Sequence, residues 1–457
     1  MSFTKPHSLT RLKGSLPPSR HLPVMYQTFC CRHSPVAYLE SCRSRLGHRF
    51  TVYTIDMPPL VFLSRPDDIH AVLSGDPTML HPGASVSVIE PLVGERSFML
   101  MEEDEHLCRR RTITPAFHQR LVVNHARLLS ETIEREVASW PLDEVVPLDP
   151  YVCALTLRTI LGAVFGDDDA LPQLHDRLTA MLGITTSILF QEPKVRHNPG
   201  WRGLWRTFVK QRTEVDEVLC NLIRRRRSET AREPLDLLDL LLVSTNADGS
   251  AISEQEIRDD IVSMILAGHE TTAGEITWAF QLLAHNPQIQ QHLIAEIDRG
   301  TESDYLTATV HETIRRRPVF LFAIPREVAK PIEIGDWTYA PPVRLLACTY
   351  LMHHDPELYP RPDEFRPERF LEKPPEPRTW LPWGGGRKHC LGRHFALLEV
   401  ETVLRQVLAA MHVLPANTDI ERPRWRSATL VPHAGGRIVL RRRSTARTSS
   451  GTRSQVY

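Results

Sequence analysis

The stretch Trp383-Gly-Gly-Gly-Arg-Lys-His-Cys390-Leu-Gly392 places one cysteine at the end of a glycine-rich loop. Apolar residues at helical spacing follow it, from Phe395 through Leu404, and predict a helix that ends near Met411. Glycine allows a backbone to turn sharply and to approach a flat group closely. Because a helix N-terminus stabilises negative charge, the pattern predicts that Cys390 is held as a thiolate.

A lone thiolate on an open loop suits an axial bond to haem iron. A structural zinc site would need three further ligands, and the loop offers only His389. Two other interpretations remain open from the loop alone, a buried structural cysteine in a glycine-rich turn and a phosphate-binding loop. The Gly-Lys-Ser/Thr that closes a phosphate loop is missing.

The composition describes a globular chain with ample core. It has 457 residues, 42% of them hydrophobic, and a formal net charge of zero, which argues against nucleic acid as the main partner. The eight cysteines are scattered without zinc-like spacing, so we expect a reducing compartment and a cytoplasmic location. No apolar run approaches the roughly 18 residues that a membrane span needs, and no membrane anchor is predicted.

A second informative stretch is Ala267-Gly-His-Glu-Thr271-Thr272, near the middle of the longest predicted helix. The capping box Ser253-Glu-Gln-Glu256 begins this helix, and the next proline is Pro287. Small residues let a flat ligand press against the backbone, while a mid-helix hydroxyl and carboxylate can open a groove and hold water. The competing interpretation of Thr271 is a hydroxyl bonded back to its own helix. A zinc protease motif is excluded because Ala273 stands where a second histidine is needed.

Three weaker signals accompany these stretches. His106 and Arg110 lie four apart on one face of a predicted helix, which alone is equally typical of an ordinary polar face. Glu312 and Arg315 lie three apart on another helix and can pair, although this spacing is common by chance. The third signal is Pro367-Glu-Arg369-Phe370, which follows in a proline-rich segment.

The remaining segments give a coarse map of the chain. We expect an extended, basic N-terminal arm (1–34), one large domain (35–443) and a disordered basic tail (444–457). The other predicted elements are a helix at 35–46, a hairpin at 50–63, a long irregular lid-like segment at 76–100, a strand at 320–324, a hairpin at 332–339 and a strand pair formed by 428–431 with 437–440.

In this order, the mid-helix Gly-x-Glu-Thr-Thr, Glu-x-x-Arg, Pro-Glu-Arg-Phe and the cysteine loop resemble the cytochrome P450 family of haem-thiolate monooxygenases. The resemblance spans about residues 15–443 and is closest to the soluble bacterial type. The family loop reads Phe-x-x-Gly-x-Arg/His-x-Cys-x-Gly. Trp383 replaces its Phe and Lys388 its Arg or His, which keeps an aromatic ring near the sulfur and a cation. The implied fold is mainly α with a small β-rich lobe.

The resemblance also implies roles for individual residues. Cys390 would bind the iron of haem b, Glu270 and Thr271 would relay protons to dioxygen, and Arg369 would join Glu312 and Arg315 in a buried fork. The residues implied to contact the cofactor are His106, Arg110, Ala267, Arg326, Trp383, Lys388, Cys390 and Gly392. The candidate substrate lining is apolar and comprises Val86, Val88, Ile89, Leu92, Ser263, Leu266, Ala267, Phe320, Phe322 and Ile324.

The implied function is insertion of one atom of dioxygen into a hydrophobic small molecule such as a terpenoid, fatty acid, steroid or polyketide. No flavin or iron–sulfur segment is left unassigned in the chain, so we expect electrons to come from NAD(P)H through a ferredoxin and its reductase. Lys388 and Arg393 could form their docking face. We expect a monomer. The open alternatives are a haem-thiolate enzyme that uses peroxide or rearranges its substrate, a binder of haem or lipid without turnover, and a nucleic-acid protein.

Overall fold

The computed structural model describes residues 16–117, 119–185, 202–229, 236–246, 248–300 and 303–443. The predicted disordered tail and the first 15 residues of the predicted arm lie outside these ranges. The helices in chain order are α1 (Val24–His33), α2 (Pro35–Leu46), α3 (Pro66–Ser74), α4 (Pro82–Val86), α5 (Glu90–Val93), α6 (Glu103–Ile113), α7 (Gln119–Val137), α8 (Asp149–Phe165), α9 (Leu171–Thr185), α10 (Arg202–Ser228), α11 (Leu237–Val243), α12 (Glu254–His285), α13 (Pro287–Arg299), α14 (Asp304–Arg316), α15 (Thr349–His353), α16 (Glu368–Glu372) and α17 (Arg393–Ala410).

The strands are short and collect beside the helices. They are β1 (Arg49–Val52), β2 (Leu60–Leu63), β3 (Leu80–His81), β4 (Val145–Pro147), β5 (Arg326–Val328), β6 (Ile332–Ile334), β7 (Trp337–Tyr339), β8 (Arg344–Ala347), β9 (Met411–Pro415), β10 (Pro423–Arg426), β11 (Thr429–Pro432) and β12 (Arg437–Arg442). The largest sheet has the order β1-β2-β8-β5-β3, in which β2 and β8 are parallel and the other pairs antiparallel. The mainly helical fold with a small β-rich lobe is therefore confirmed.

Helix α12 is the element around which the others pack. It begins at the predicted capping box, in which the Ser253 hydroxyl accepts from the Glu256 amide and the Glu256 carboxylate accepts from the Ser253 amide. Twenty-four of its 32 residues are buried, since α8, α10, α14, α17 and the hairpin β10–β11 contact it. Trp278, fully buried near its C-terminal end, donates its indole N–H to the Leu430 carbonyl at 2.9 Å. Helix α12 thus joins the helical core to the β strands.

Several predicted elements are present with small shifts in their ends. The hairpin β1–β2 pairs Phe50 with Phe62, and β6–β7 pairs Ile334 with Trp337. Helix α2 occupies the predicted residues, because Pro35 fits the first turn of a helix and Gly47 follows its end at a φ of 88°.

Other predictions of secondary structure were wrong. Residues 24–33 of the expected extended arm form α1, because the prolines stop at Pro23 and leave a helix-compatible run. Residues 320–324 are not a strand. Pro318 and Pro325 flank them, and their backbone bonds are isolated, such as the Ala323 amide to the Ala347 carbonyl. The segment 76–100 is not irregular throughout, since it contains β3, α4 and α5.

The predicted strand pairing near the C-terminus was also wrong. Strand β11 pairs with β10, and β12 pairs with β9 and β4, in which Ile438 faces Pro415 on one side and Val146 on the other. The partners of β12 come from distant parts of the chain, so the local turn at 433–436 did not decide the pairing.

Candidate active site

The cysteine loop is held in shape by its glycines and by the start of α17. The Cys390 amide donates to the Trp383 carbonyl at 3.0 Å. Gly386 has a φ of 64°, and a Cβ at this position would lie 1.9 Å from the Leu73 carbonyl oxygen of α3. Only glycine fits there. The loop therefore carries Cys390 to a fixed place immediately before α17, in agreement with the predicted loop and helix.

The thiolate predicted for Cys390 from the helix N-terminus stays a prediction. Burial raises the pKa of the Cys390 thiol, although the Gly392 amide, Arg110 and Arg393 act in the opposite direction. Desolvation by the packed surroundings is the larger effect, although Cys390 is partly exposed. A bond to a metal cation would supply the missing charge compensation and deprotonate the thiol.

Basic side chains converge beside this loop. His106 and Arg110 come from α6, Arg326 from the start of β5 and Lys388 from the loop itself. Burial lowers the pKa of His106 to about 3, and the neighbouring cations Lys388 and Arg110 contribute. Burial also lowers the pKa of Arg326 to about 10, with Glu102 opposing. A buried excess of cations suits an anionic group with more than one carboxylate, as the two propionates of haem provide.

The individual contacts of these cations differ. The Arg110 guanidinium lies 2.9 Å from Nδ1 of His389, and that of Arg326 donates to the Ile324 carbonyl. The Lys388 ammonium donates to the carbonyls of three residues in the segment before α6. The predicted propionate contacts of His106, Arg110 and Arg326 stay predictions, and for Lys388 the protein contacts argue against one.

The middle of α12 presents an open surface. Ala267 is exposed and Leu266, Gly268 and Thr271 are partly exposed, whereas the helix on both sides of them is buried. The Thr271 hydroxyl donates to the Ala267 carbonyl at 2.6 Å, so the back-bonded conformation considered from the sequence is present. A Cβ on Gly268 would lie 3.2 Å from Ile160, which shows that this glycine lets α8 approach. Ala267 and Thr271 are the residues that face the open side.

Glu270 directly precedes Thr271 in this turn and is buried. Burial raises the pKa of its carboxyl, and Arg426 opposes the rise. The Arg426 Nε atom is 4.0 Å from Glu270 Oε1, and its Nη1 atom is 2.5 Å from Asp149 Oδ2. Arg426 and Asp149 were missed from the sequence, because β10 and the start of α8 are far from α12 along the chain and neither residue lies in a motif.

The same framework carries the cysteine loop and α12. Helix α8 contacts both sides: the Thr156 hydroxyl is bonded to Nδ1 of His269 on α12 at 3.1 Å, and the Thr159 hydroxyl donates to Glu399 on α17. Trp383 and Leu266 pack against the same hydrophobic cluster. The oxygen-handling segment predicted on α12 and the cysteine loop therefore belong to one packed unit.

The predicted fork of one glutamate and two arginines is present. Glu312 and Arg315 form a bidentate pair at 2.7 and 2.9 Å, and Arg369 Nε donates to Glu312 Oε1 at 2.9 Å. Arg315 also donates to the His353 and Pro362 carbonyls. The fork thus fixes the segment that leads to the cysteine loop.

The predicted substrate lining contains both core residues and partly exposed residues. Leu92 and Ser263 are buried in the core, and Phe322 packs edge-on against Phe62 at 5.9 Å, so these residues have structural partners. Phe320 is 40% exposed. For the partly exposed members, contact with the substrate stays a prediction. These members are Val86, Val88, Ile89, Leu266 and Ile324.

Two absences concern the described residues only. They contain no group of three or more His, Cys, Asp or Glu side chains placed to hold a metal ion. In the same part of the chain, every helix is too short or too polar to span a bilayer.

The comparison with family models matches residues 16–439 to the model described as Cytochrome P450. This chain belongs to the cytochrome P450 family. Cytochrome P450 135B1 of Mycobacterium tuberculosis is 31% identical over 451 residues, covering 96% of this chain and 94% of that protein. Cytochrome P450 135A1 of the same species is 32% identical over 444 residues, covering 94% and 96%.

A solved structure titled "Retinoic acid bound cyanobacterial CYP120A1" aligns with a TM-score of 0.81 over 94% of this chain and 99% of that one. Its identity is 20%, so it supports the fold. As a cytochrome P450 the protein is a haem-dependent oxidoreductase of the monooxygenase type, and the alternative of a nucleic-acid protein falls away. The residues fit the cofactor: Cys390 would hold the iron, and His106, Arg110 and Arg326 would hold the propionates.

Proposed function

We propose that this cytochrome P450 hydroxylates a hydrophobic small molecule with electrons from a separate ferredoxin and its reductase, and ultimately from NAD(P)H. The observation that carries the proposal is the open surface of Ala267 and Thr271 with the buried Glu270 beside it. The partly exposed side chains predicted to line the substrate site are mostly apolar. They support a terpenoid, fatty acid, steroid or polyketide as the substrate class.

The protein's own contribution is to position groups and move protons. Haem with a thiolate ligand supplies the activation of dioxygen when it is bound. Burial favours the neutral form of Glu270, so its carboxyl can carry a proton, while the nearby Arg426 stabilises the carboxylate left after release. The Thr271 hydroxyl donates to Ala267 and keeps two lone pairs with which it can accept a bond from water. Glu270 and Thr271 together would deliver protons to the open side of α12.

Docking of a redox partner is proposed near the cysteine loop. Arg387 and Arg393 are exposed beside it and can attract an acidic protein. Lys388 does not belong to this face, because its ammonium is bonded to carbonyl groups inside the protein.

The test is the coupling of NADPH oxidation to product formation with surrogate redox partners, once a substrate has been found by the spin-state shift of the haem spectrum. Thr271→Ala should lower product formed per NADPH several-fold and raise peroxide release, because the hydroxyl of the relay is lost. Thr277→Ala is the matched control, since Thr277 bonds back to Ala273 at 2.7 Å in the same way but is fully buried.

Equal coupling in the Thr271 and Thr277 variants would contradict the relay. Turnover with peroxide alone, or a rearranged product without oxygen uptake, would instead favour the alternative haem-thiolate reactions.

A further inference from the structure

The segment 94–101, called the strap below, connects α5 to α6 and lies along the first turns of α12. The Arg96 amide donates to Asp259 at 2.9 Å, and the Phe98 amide donates to Asp260 at 3.0 Å. The Ser97 and Ser263 hydroxyls are 2.6 Å apart. Asp259, Asp260 and Ser263, on adjacent turns of α12, therefore hold the strap through two of its main-chain amides and one side chain.

The strap approaches α12 closely. Gly94 has a φ of 92°, and a Cβ at that position would lie 2.2 Å from the Asp259 carboxylate. Within the strap, the Leu100 amide donates to the Ser97 carbonyl at 3.0 Å and the Met99 amide to the Ser97 hydroxyl at 3.1 Å. The carbonyl groups of Phe98, Met99 and Met101 bond to the cysteine loop.

Lys388 of the cysteine loop binds those carbonyls. Its Nζ atom is 3.4 Å from the Phe98 oxygen, 3.1 Å from that of Met99 and 2.9 Å from that of Met101. An ammonium group has three N–H donors and no acceptor, so the three carbonyls can use its whole donor capacity. Burial lowers the pKa of Lys388 to about 8, and Glu102 opposes the fall.

We propose that Lys388 is a positioning residue that clamps the strap to the cysteine loop, and that the strap thereby fixes the distance between this loop and the start of α12. This role goes beyond the proposed function and does not depend on the substrate or on the proton relay. Lys388 stands two residues before Cys390, so movement of the strap would reach the sulfur through one short loop. In this assignment the guanidinium groups of Arg110 and Arg326 are the ones that would bind the cofactor's carboxylates.

The test is hydrogen exchange of the strap amides in the haem-loaded protein. Lys388→Met keeps an apolar chain of similar length and removes all three donors. We expect exchange across 96–101 to rise about tenfold or more, because the clamp holds this segment closed. Arg387→Met is the matched control, as the neighbouring Arg387 is exposed and lies 3.6 Å from Asp104, and its strap exchange should equal that of the wild type.

Lys388→Gln is a second variant that tests the same proposal if Lys388→Met does not fold. It keeps two N–H donors on a shorter side chain, so its strap exchange should lie between that of the wild type and that of Lys388→Met. Wild-type exchange in the haem-loaded Lys388 variants would overturn the proposal. If haem also dissociated faster in those variants, Lys388 would be assigned to the cofactor instead.

Discussion

Glu312 is a single side chain on which a large part of the site's support depends. It is fully buried and accepts from Arg315, Arg369 and the Arg366 amide. A buried carboxylate is tolerated only when it is paired and fully hydrogen-bonded, and the two guanidinium groups fulfil this requirement. The fork explains how a proline-rich segment, whose regular structure is the short helix α16, can hold the cysteine loop in place.

Glu312→Gln should lower the free energy of unfolding by about 3–5 kcal/mol, because it leaves two buried guanidinium groups without their carboxylate. Urea unfolding followed by fluorescence measures this change. Glu372→Gln is the control: it removes an exposed pair with Arg366 at 2.9 Å and should cost about 0–1 kcal/mol. Equal losses in the two variants would show that the fork is not a structural centre.

The residues found from the sequence are those that belong to motifs with fixed local spacing. Cys390, Glu312 and Arg315 were identified in this way, and Arg369 by its order in the chain. Lys388 was identified as a cation, but its partners are backbone carbonyls, which have no sequence signature. Arg426 lies near Glu270 only because β10 folds back on α12, and no local pattern encodes that approach.

Helix α8 is the element that joins the two sides of the site. Thr159 of this helix donates to Glu399 of α17, and Glu399 is otherwise enclosed by the core. Burial raises the pKa of the Glu399 carboxyl to about 8, and the bond from Thr159 only partly offsets this effect. The folded protein therefore holds a proton on Glu399 at neutral pH.

The protonation of Glu399 predicts a pH dependence of stability. In the unfolded chain a glutamate titrates at about 4.3, so between about pH 4.3 and 8 the folded state binds one proton more than the unfolded state. The stability that protonated Glu399 contributes is complete below the pKa of the unfolded state. It is lost as the pH rises toward the pKa of the folded state. Glu399→Gln should make the slope of unfolding free energy against pH less negative by up to about 1.4 kcal/mol per pH unit.

Chemical unfolding at several pH values between these limits measures that slope. Identical slopes in the wild type and Glu399→Gln would mean that Glu399 is ionised in the folded protein, and the account of its burial would be wrong.

Elements with strong local signals were predicted well. The capping box and the absence of proline fixed α12 almost to the residue, and Pro35 with Gly47 fixed α2. The strands β11 and β12 were predicted to exist, but their pairing was wrong because short strands are chosen by long-range packing. The run 320–324 has an apolar composition that suits a strand, yet flanking prolines limit its backbone bonds.

At the scale of the whole molecule, three connections between elements fix the geometry of the candidate active site. Helix α8 joins α12 to α17, the strap joins α12 to the cysteine loop, and the Glu312 fork fixes the segment before that loop. All three connections help to fix the position of the Cys390 sulfur atom. The sequence motifs pointed to the family, whereas the strap and the α8 contacts required the three-dimensional structure.

The central claim is that the Cys390 sulfur is the protein ligand of haem iron, and the carbon monoxide spectrum of the reduced protein tests it most directly. The wild type should show the red-shifted Soret band of a thiolate-ligated haem. Cys390→Ser should lose this band, whereas Cys108→Ser, which changes another free cysteine on α6, should keep it. A red-shifted band that persists in Cys390→Ser, or a wild type that binds no haem, would contradict the account.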